Sequence, residues 1–190
     1  MNITSRQQYI DGYNKHHARM GKRGSGDGDR SVIFKLCQQA GYEDGMSVFD
    51  YGCGWGACSP YFSDYFGVDI ASEAIKLAKK EFEPEKFDVF EIGKLKLPLK
   101  KDFVVSSSVF THTMHGDVED CLSDIKRNLK KSGCGLVDIL EGKTSEKGHF
   151  IYWSVPDFQE KLRSCGLDGE VIATAPAPHG FVHTYFRIQH

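Results

Sequence analysis

Residues 48–56 read V-F-D-Y-G-C-G-W-G, and F-G-V-D follows at residues 66–69. Gly52, Gly54 and Gly56 fall at every second position, with Asp50 ahead of them and Asp69 behind. Glycines so placed let the backbone take positive φ or approach a ligand with no Cβ in the way. The apolar stretch Met46 to Asp50 runs straight into them, which reads as a buried strand with a loop at its carboxyl end. Beside the N-terminus of a following helix, such a loop offers N–H groups to an anion. Gly52, Gly54 and Ala57 also satisfy the dinucleotide fingerprint G-x-G-x-x-G/A. Asp50 argues the other way, because a carboxylate there repels a pyrophosphate and suits an ammonium or sulfonium charge.

A second group with chemical capacity is S-V-F-T-H-T-M-H at residues 108–115, which puts His112 and His115 just past a short apolar stretch, Phe103 to Ser107. Either imidazole suits a general base, His112 first and His115 second. The N-terminal segment adds Tyr9, Tyr13, His16, His17 and Arg19, and Trp153, His179 and His183 lie toward the other end. No pair of the six cysteines and eight histidines has structural zinc spacing, so no metal is expected.

The elements that must position these residues alternate along the chain. Tyr9, Tyr13, His16 and Met20 recur at helical spacing, ahead of the glycine-rich G-K-R-G-S-G-D-G-D. Asp29 is placed to cap a helix whose face is Val32, Ile33, Leu36, Cys37 and Ala40, ended by Gly41. After the glycine loop come a short helix over Cys58 to Tyr65, a strand to Asp69, a helix from Ser72 to Phe82 and a strand from Phe87 to Ile92. A strand over Phe103 to Ser107 precedes the amphipathic helix Asp117 to Lys131, lined by Val118, Cys121, Leu122, Ile125 and Leu129. Cys134 to Leu140 reads as a buried strand, as in a sheet covered on both faces. Ser154 caps a helix to Cys165, and two last strands, near Val171 to Ala175 and Phe181 to Ile188, are too closely linked for a crossover helix. The expected architecture is therefore a doubly wound, mostly parallel, seven-stranded α/β sheet with an antiparallel last strand, helices on both faces, and a short N-terminal helical cover. Residues 1–28 form the expected lid and 29–190 the main domain. Ligands in such sheets sit beyond the strand carboxyl ends, where Asp50, Asp69, Ile92, Ser107 and Leu140 fall.

Composition narrows the partners. A formal charge of −2 offers no basic field for nucleic acid or anionic membrane. No apolar run is long enough to span a bilayer, and the first residues lack a signal core, so a cytoplasmic protein with reduced thiols is expected. The composition leaves the oligomeric state open.

The quoted motifs resemble those of the class I S-adenosylmethionine-dependent methyltransferase family. D-Y-G-C-G-W-G (Asp50 to Gly56), F-G-V-D-I (Phe66 to Ile70), S-S-S-V-F-T-H (Ser106 to His112) and K-K-S-G-C-G-L-V-D-I-L (Lys130 to Leu140) come in the family's order. The resemblance implies that Gly52, Gly54 and Gly56 form the loop for S-adenosylmethionine, with S-adenosylhomocysteine as product. It places Asp50 near the methionine ammonium, directly or through water, Asp69 on the ribose hydroxyls, Ile70 on the adenine face and Ser107 at the cofactor edge of the fourth strand. Where many members carry an acid or amide for the adenine edge, this chain offers Glu91, or only backbone at Ile92 and Gly93. Tyr9, Tyr13, His17, Trp153, His179 and His183 are expected around the acceptor.

The fourth strand lacks D/N-P-P-Y, and no Pro-Cys pair exists, which disfavours the nucleic-acid-methylating classes. The expected function is O- or N-methylation of a small molecule. A methyltransferase-like binding module without chemistry is the first alternative and a dinucleotide-dependent oxidoreductase the second.

Overall fold

A computed structural model of the chain describes residues 6–20, 30–143, 145–147, 150–177 and 180–190. Five α-helices and nine strands are present among them. The helices are α1 (Arg6–Met20), α2 (Ser31–Gln39), α3 (Ser72–Glu81), α4 (Val118–Asn128) and α5 (Val155–Ser164). The strands are β1 (Ser47–Tyr51), β2 (Asp64–Asp69), β3 (Phe87–Val89), β4 (Lys101–Ser106), β5 (Leu129–Glu141), β6 (Ser145–Lys147), β7 (Phe150–Trp153), β8 (Asp168–Pro176) and β9 (Val182–Gln189).

Strands β3, β2, β1, β4 and β5 lie side by side and parallel. β9 runs antiparallel along β5 from Cys134 to Glu141, and β8 pairs antiparallel outside β9. That is the seven-stranded sheet expected from the alternating pattern. Two further strands were not anticipated: β7 pairs with β5 at Leu140 and Glu141, and β6 folds back on β7. Those two β5 residues also pair with β9, whereas β4 reaches only Val137. β7 therefore occupies the edge of β5 beyond the carboxyl end of β4, where a ligand would lie.

Side chains alternate between the two faces of the sheet, and each face has its own core. Phe49, Val104, Val137, Ile139 and Phe186 pack with α4 and α5 on one side. Val48, Phe103, Val105, Leu136 and Tyr185 pack with α2 and α3 on the other. Each fully buried large side chain contributes roughly 1.5–3 kcal/mol. α5 starts as expected, with the Ser154 hydroxyl accepting from Asp157 N.

Several boundaries differ from the sequence reading. Cys58 to Tyr65 is no helix: only Ser59–Tyr61 forms a 3-10 turn, Phe62 is extended, and the chain enters β2 at Asp64. The fourth helix ends at Asn128 rather than Lys131, because Leu129 is extended and Lys130 to Gly133 already belong to β5. The third strand ends at Val89, short of Ile92. Val32 faces solvent at 54% exposure, so the inward face of α2 is Ile33, Leu36 and Cys37. The predicted cap Asp29 lies outside the described residues.

Candidate functional site: a cofactor cavity at the carboxyl ends of β1 and β2

The glycine loop leaves β1 through a sharp turn in which Gly52 N and Cys53 N both donate to Val68 O, at 2.8 and 2.9 Å. Gly52 has φ +81°, and a Cβ on it would stand 2.3 Å from Val109 Cγ2. Both its conformation and its space exclude a side chain. Gly56 has φ +83° and presses on the Phe87 ring. Asp69, at the end of β2, ties the loop down: Gly54 N donates to its Oδ2 and Ala71 N to its Oδ1, each at 2.8 Å. Each oxygen keeps a further lone pair, so the carboxylate can still accept from two ribose hydroxyls. Burial pushes its pKa up against the pull of these N–H donors.

Asp50 is 3% exposed and accepts from the Tyr65 hydroxyl at 2.7 Å. Its pKa rises from 3.8 to about 7, chiefly through burial, while the Tyr65 hydroxyl and the Arg30 charge pull it down. The structure offers little to a pyrophosphate here. Gly54 N–H is committed to Asp69, and the loop leads into a three-residue 3-10 turn instead of an α-helix. The anion site on which a dinucleotide reading depends is missing.

Above the loop is a cavity of about 70 Å³, floored by Gly52, Asp69 and Ile70, walled by Phe90, Ile92 and Ser108, and roofed by Tyr9 and Tyr13 of α1. α1 is held at two points: Arg6 donates to Asp117 just before α4, to Asp120 in its first turn and to Ile92 O, and Asn14 Oδ1 accepts from Glu73 N at the start of α3. A larger groove of about 230 Å³ lies between α5, β8 and β9, lined by Arg163, Glu170 and Arg187 among others. It sits at the amino end of β5 and mixes charges of both signs, so the smaller cavity is the site.

The wall after β3 is irregular chain held by α4. The buried Asp124 accepts from Gly93 N at 2.7 Å, Leu95 N at 3.1 Å and Arg127 Nη1 at 2.8 Å, and Asn128 Oδ1 accepts from Leu97 N at 2.7 Å. Burial raises the Asp124 pKa, opposed by those donors and by Arg127. Phe90 and Ile92 face the cavity, whereas Glu91 points to solvent and pairs with Lys94 at 2.7 Å. Phe90 and Ile92, and not the Glu91 carboxylate, are thus what this stretch presents to the cavity.

The loop after β4 carries Ser108 at φ +62°, the one non-glycine residue with positive φ among those described. Such strain concentrates at functional sites. Ser108 rather than the expected Ser107 lines the cavity. Its N–H donates to Asp138 Oδ1 at 2.5 Å, and the other oxygen of that buried carboxylate is 2.7 Å from His183 Nδ1. His112 has its ring 5.9 Å from Tyr13 of the roof and 5.4 Å from Phe150 of β7. His115 is edge-on to Trp153 at 4.5 Å, with Nε2 3.4 Å from Tyr152 O. Trp153 belongs to the core beside Phe158. Neither of the two lines the cavity. His17 is 2% exposed and its buried Nδ1 has no hydrogen-bond partner among the described residues; desolvation, then His16, lowers its pKa. His179 lies outside the described residues.

Sequence reasoning missed Asp138, Arg6 and Asn14. A charged residue inside the apolar run L-V-D-I-L was the one available signal, since a buried carboxylate requires partners.

A glycine loop on β1, an acid ending β2 and an antiparallel β9 beside β5 define a class: doubly wound proteins that seat an adenosyl cofactor across their central strands. Residues 49–137 match the family described as a methyltransferase domain. Over residues 49–137 the chain is thus similar to S-adenosylmethionine-dependent methyltransferases, and the residues of that stretch suit the cofactor. Cyclopropane-fatty-acyl-phospholipid synthase of Escherichia coli K12 is 27% identical over 116 residues, 58% of this chain and 30% of that protein. The chain thus spans about a third of that relative's length. Among solved structures, 1,6-didemethyltoxoflavin-N1-methyltransferase of Burkholderia thailandensis, with S-adenosylhomocysteine bound, superposes with TM-score 0.75 at 16% identity, over 100% of this chain and 93% of that one. The magnesium protoporphyrin IX methyltransferase of Synechocystis PCC 6803 gives 0.67 at 13% identity, over 100% and 90%. These likenesses are of fold. No helix among the described residues is long and apolar enough to cross a membrane.

Proposed function

We propose that the protein transfers the methyl group of S-adenosylmethionine to an oxygen or nitrogen of a small molecule. The observation that carries the reading is the small cavity: Tyr9 and Tyr13 of α1 line it together with Gly52, Asp69 and Ile70 and narrow the approach to it. The acceptor class is supported by the structural neighbour 1,6-didemethyltoxoflavin-N1-methyltransferase, which holds 1,6-didemethyltoxoflavin together with S-adenosylhomocysteine.

The cofactor supplies an electrophilic methyl group; the protein supplies alignment and exclusion of water. Asp69 would hold the ribose, Ile70 and Phe90 would flank the adenine, and the Gly52 turn would let the backbone approach. Asp50, buried just behind this lining, would meet the ammonium end directly or through water. Tyr13, His112 and Phe150 bound the acceptor space, with His17 on the turn of α1 after Tyr13.

The test incubates the protein with methyl-labelled S-adenosylmethionine and a small-molecule extract. Labelled small product supports the reading. Label on protein or nucleic acid alone contradicts the acceptor class, and S-adenosylhomocysteine binding with no labelled product favours a binding module without chemistry.

A further inference from the structure

His183 is a histidine that the cofactor reading leaves unused. Its Nδ1 is 2.7 Å from Asp138, whose side chain is 1% exposed, while its own side chain is 22% exposed. A buried carboxylate on one ring nitrogen fixes the tautomer with the proton on Nδ1 and leaves Nε2 as a lone-pair acceptor. No hydrogen bond to Nε2 is formed among the described residues. The same carboxylate accepts from the N–H of Ser108, a wall of the cofactor cavity in a strained conformation. One carboxylate therefore couples the histidine to the cavity wall.

Strand register places the pair. Asp50 is level with Val105 of β4, and Val105 with Leu136 of β5, so Asp138 stands two residues nearer the carboxyl end than Asp50 and two strands across. At ~4.8 Å per strand that is about 10 Å sideways from the ammonium end of the cofactor site. His183 pairs with Leu140 and reaches Asp138 diagonally, on the same face. By register, Asp69 and Asp138 stand two residues beyond the level of Asp50 and His183 four, all toward the carboxyl end of the parallel strands.

We infer that His183 is the general base for the methyl acceptor, a role the sequence assigned to His112, and that Asp138 is its positioning residue. This rests on the methyltransferase reading and narrows it to acceptors with an ionisable proton: a hydroxyl, a thiol or a heteroaromatic N–H. The acceptor atom forms its bond to the methyl carbon, the carbon–sulfur bond breaks with its electron pair left on sulfur, and the acceptor proton passes to Nε2. The groups facing His183 are Asp138 of β5 and Tyr185 of its own strand, with the Arg30 charge before α2 acting on Tyr185.

Phenols, thiols and N–H heteroaromatics serve as probe acceptors with labelled donor. His183→Gln should bind S-adenosylhomocysteine within about twofold of wild type, lower label transfer at least about 100-fold, and lose the rise of rate with pH. Asp138→Asn should lower transfer about tenfold or more, and nitrogen-15 NMR of the ligand-free protein should show its His183 no longer held as the Nδ1–H tautomer. His112→Gln should keep the pH dependence. Transfer by His183→Gln within threefold of wild type, or a pH dependence lost in His112→Gln instead, overturns the proposal. So does a wild-type His183 protonated at Nε2. No product from any probe class, with S-adenosylhomocysteine still bound, overturns it together with the acceptor reading; failure to bind S-adenosylhomocysteine instead defeats the cofactor reading itself.

Discussion

Replacing Asp50 with Asn probes both the burial of this acid and its part in binding. The native carboxyl titrates at about 7 instead of 3.8, so the folded state keeps a proton that the unfolded chain has already released. Stability therefore falls as pH rises from about 4 to about 7 and is flat above. At ~1.4 kcal/mol per pKa unit, the cost of ionising the buried acid is on the order of 4 kcal/mol. Asp50→Asn should remove that dependence, and above pH 7 the ligand-free variant should be more stable than wild type. Binding should show the opposite preference. An ammonium docked at Asp50 requires the ionised form, whose population rises about tenfold between pH 6 and 8 for a pKa near 7. S-adenosylhomocysteine affinity should rise by about the same factor, ~1.4 kcal/mol, with proton release near pH 7. Calorimetry in two buffers of different ionisation enthalpy measures both. Affinity flat across this range, with no buffer-dependent heat, would refute the placement of the ammonium end at Asp50.

Three further substitutions test separate parts of the site. Asp69→Ala should weaken S-adenosylhomocysteine binding by about 1.5–3 kcal/mol through lost charge-assisted hydrogen bonds; unchanged affinity by calorimetry removes the ribose assignment. Arg6→Ala releases one anchor of α1. Because Arg6 is about a third exposed, stability should change by less than about 1 kcal/mol, while ligand association and dissociation should both quicken in stopped-flow fluorescence. Equal rates would show that α1 does not gate the cavity. Asp124→Ala strands two backbone N–H groups behind the adenine wall and should cost about 2–4 kcal/mol in denaturant unfolding; a loss below 1 kcal/mol would contradict its role in holding that loop.

The elements legible in the sequence are those whose burial pattern is local. β1, α4, α5 and the antiparallel β8–β9 pair each write their period or end signals into a contiguous stretch. The β6–β7 hairpin does not: its strands are three and four residues long, and its place depends on the free edge of β5 beyond β4. Cys58 to Tyr65 misled because its aromatic spacing resembles a helix face, while Tyr61, Phe62 and Phe34 cluster from turn and extended backbone. The glycines and both acids were readable because their function constrains residue type. The partners that decide their chemistry were not: Tyr65 on Asp50, Asp138 on His183 and Arg6 on Asp117 are contacts made only by folding.

The most direct measurement is thermal unfolding of the whole protein with S-adenosylhomocysteine and, separately, with NAD. At about 100 times its Kd, S-adenosylhomocysteine should add about 2.7 kcal/mol, raising Tm by roughly 5–11 °C for a chain this size, while NAD leaves Tm unchanged. A rise with NAD and none with S-adenosylhomocysteine would contradict the account.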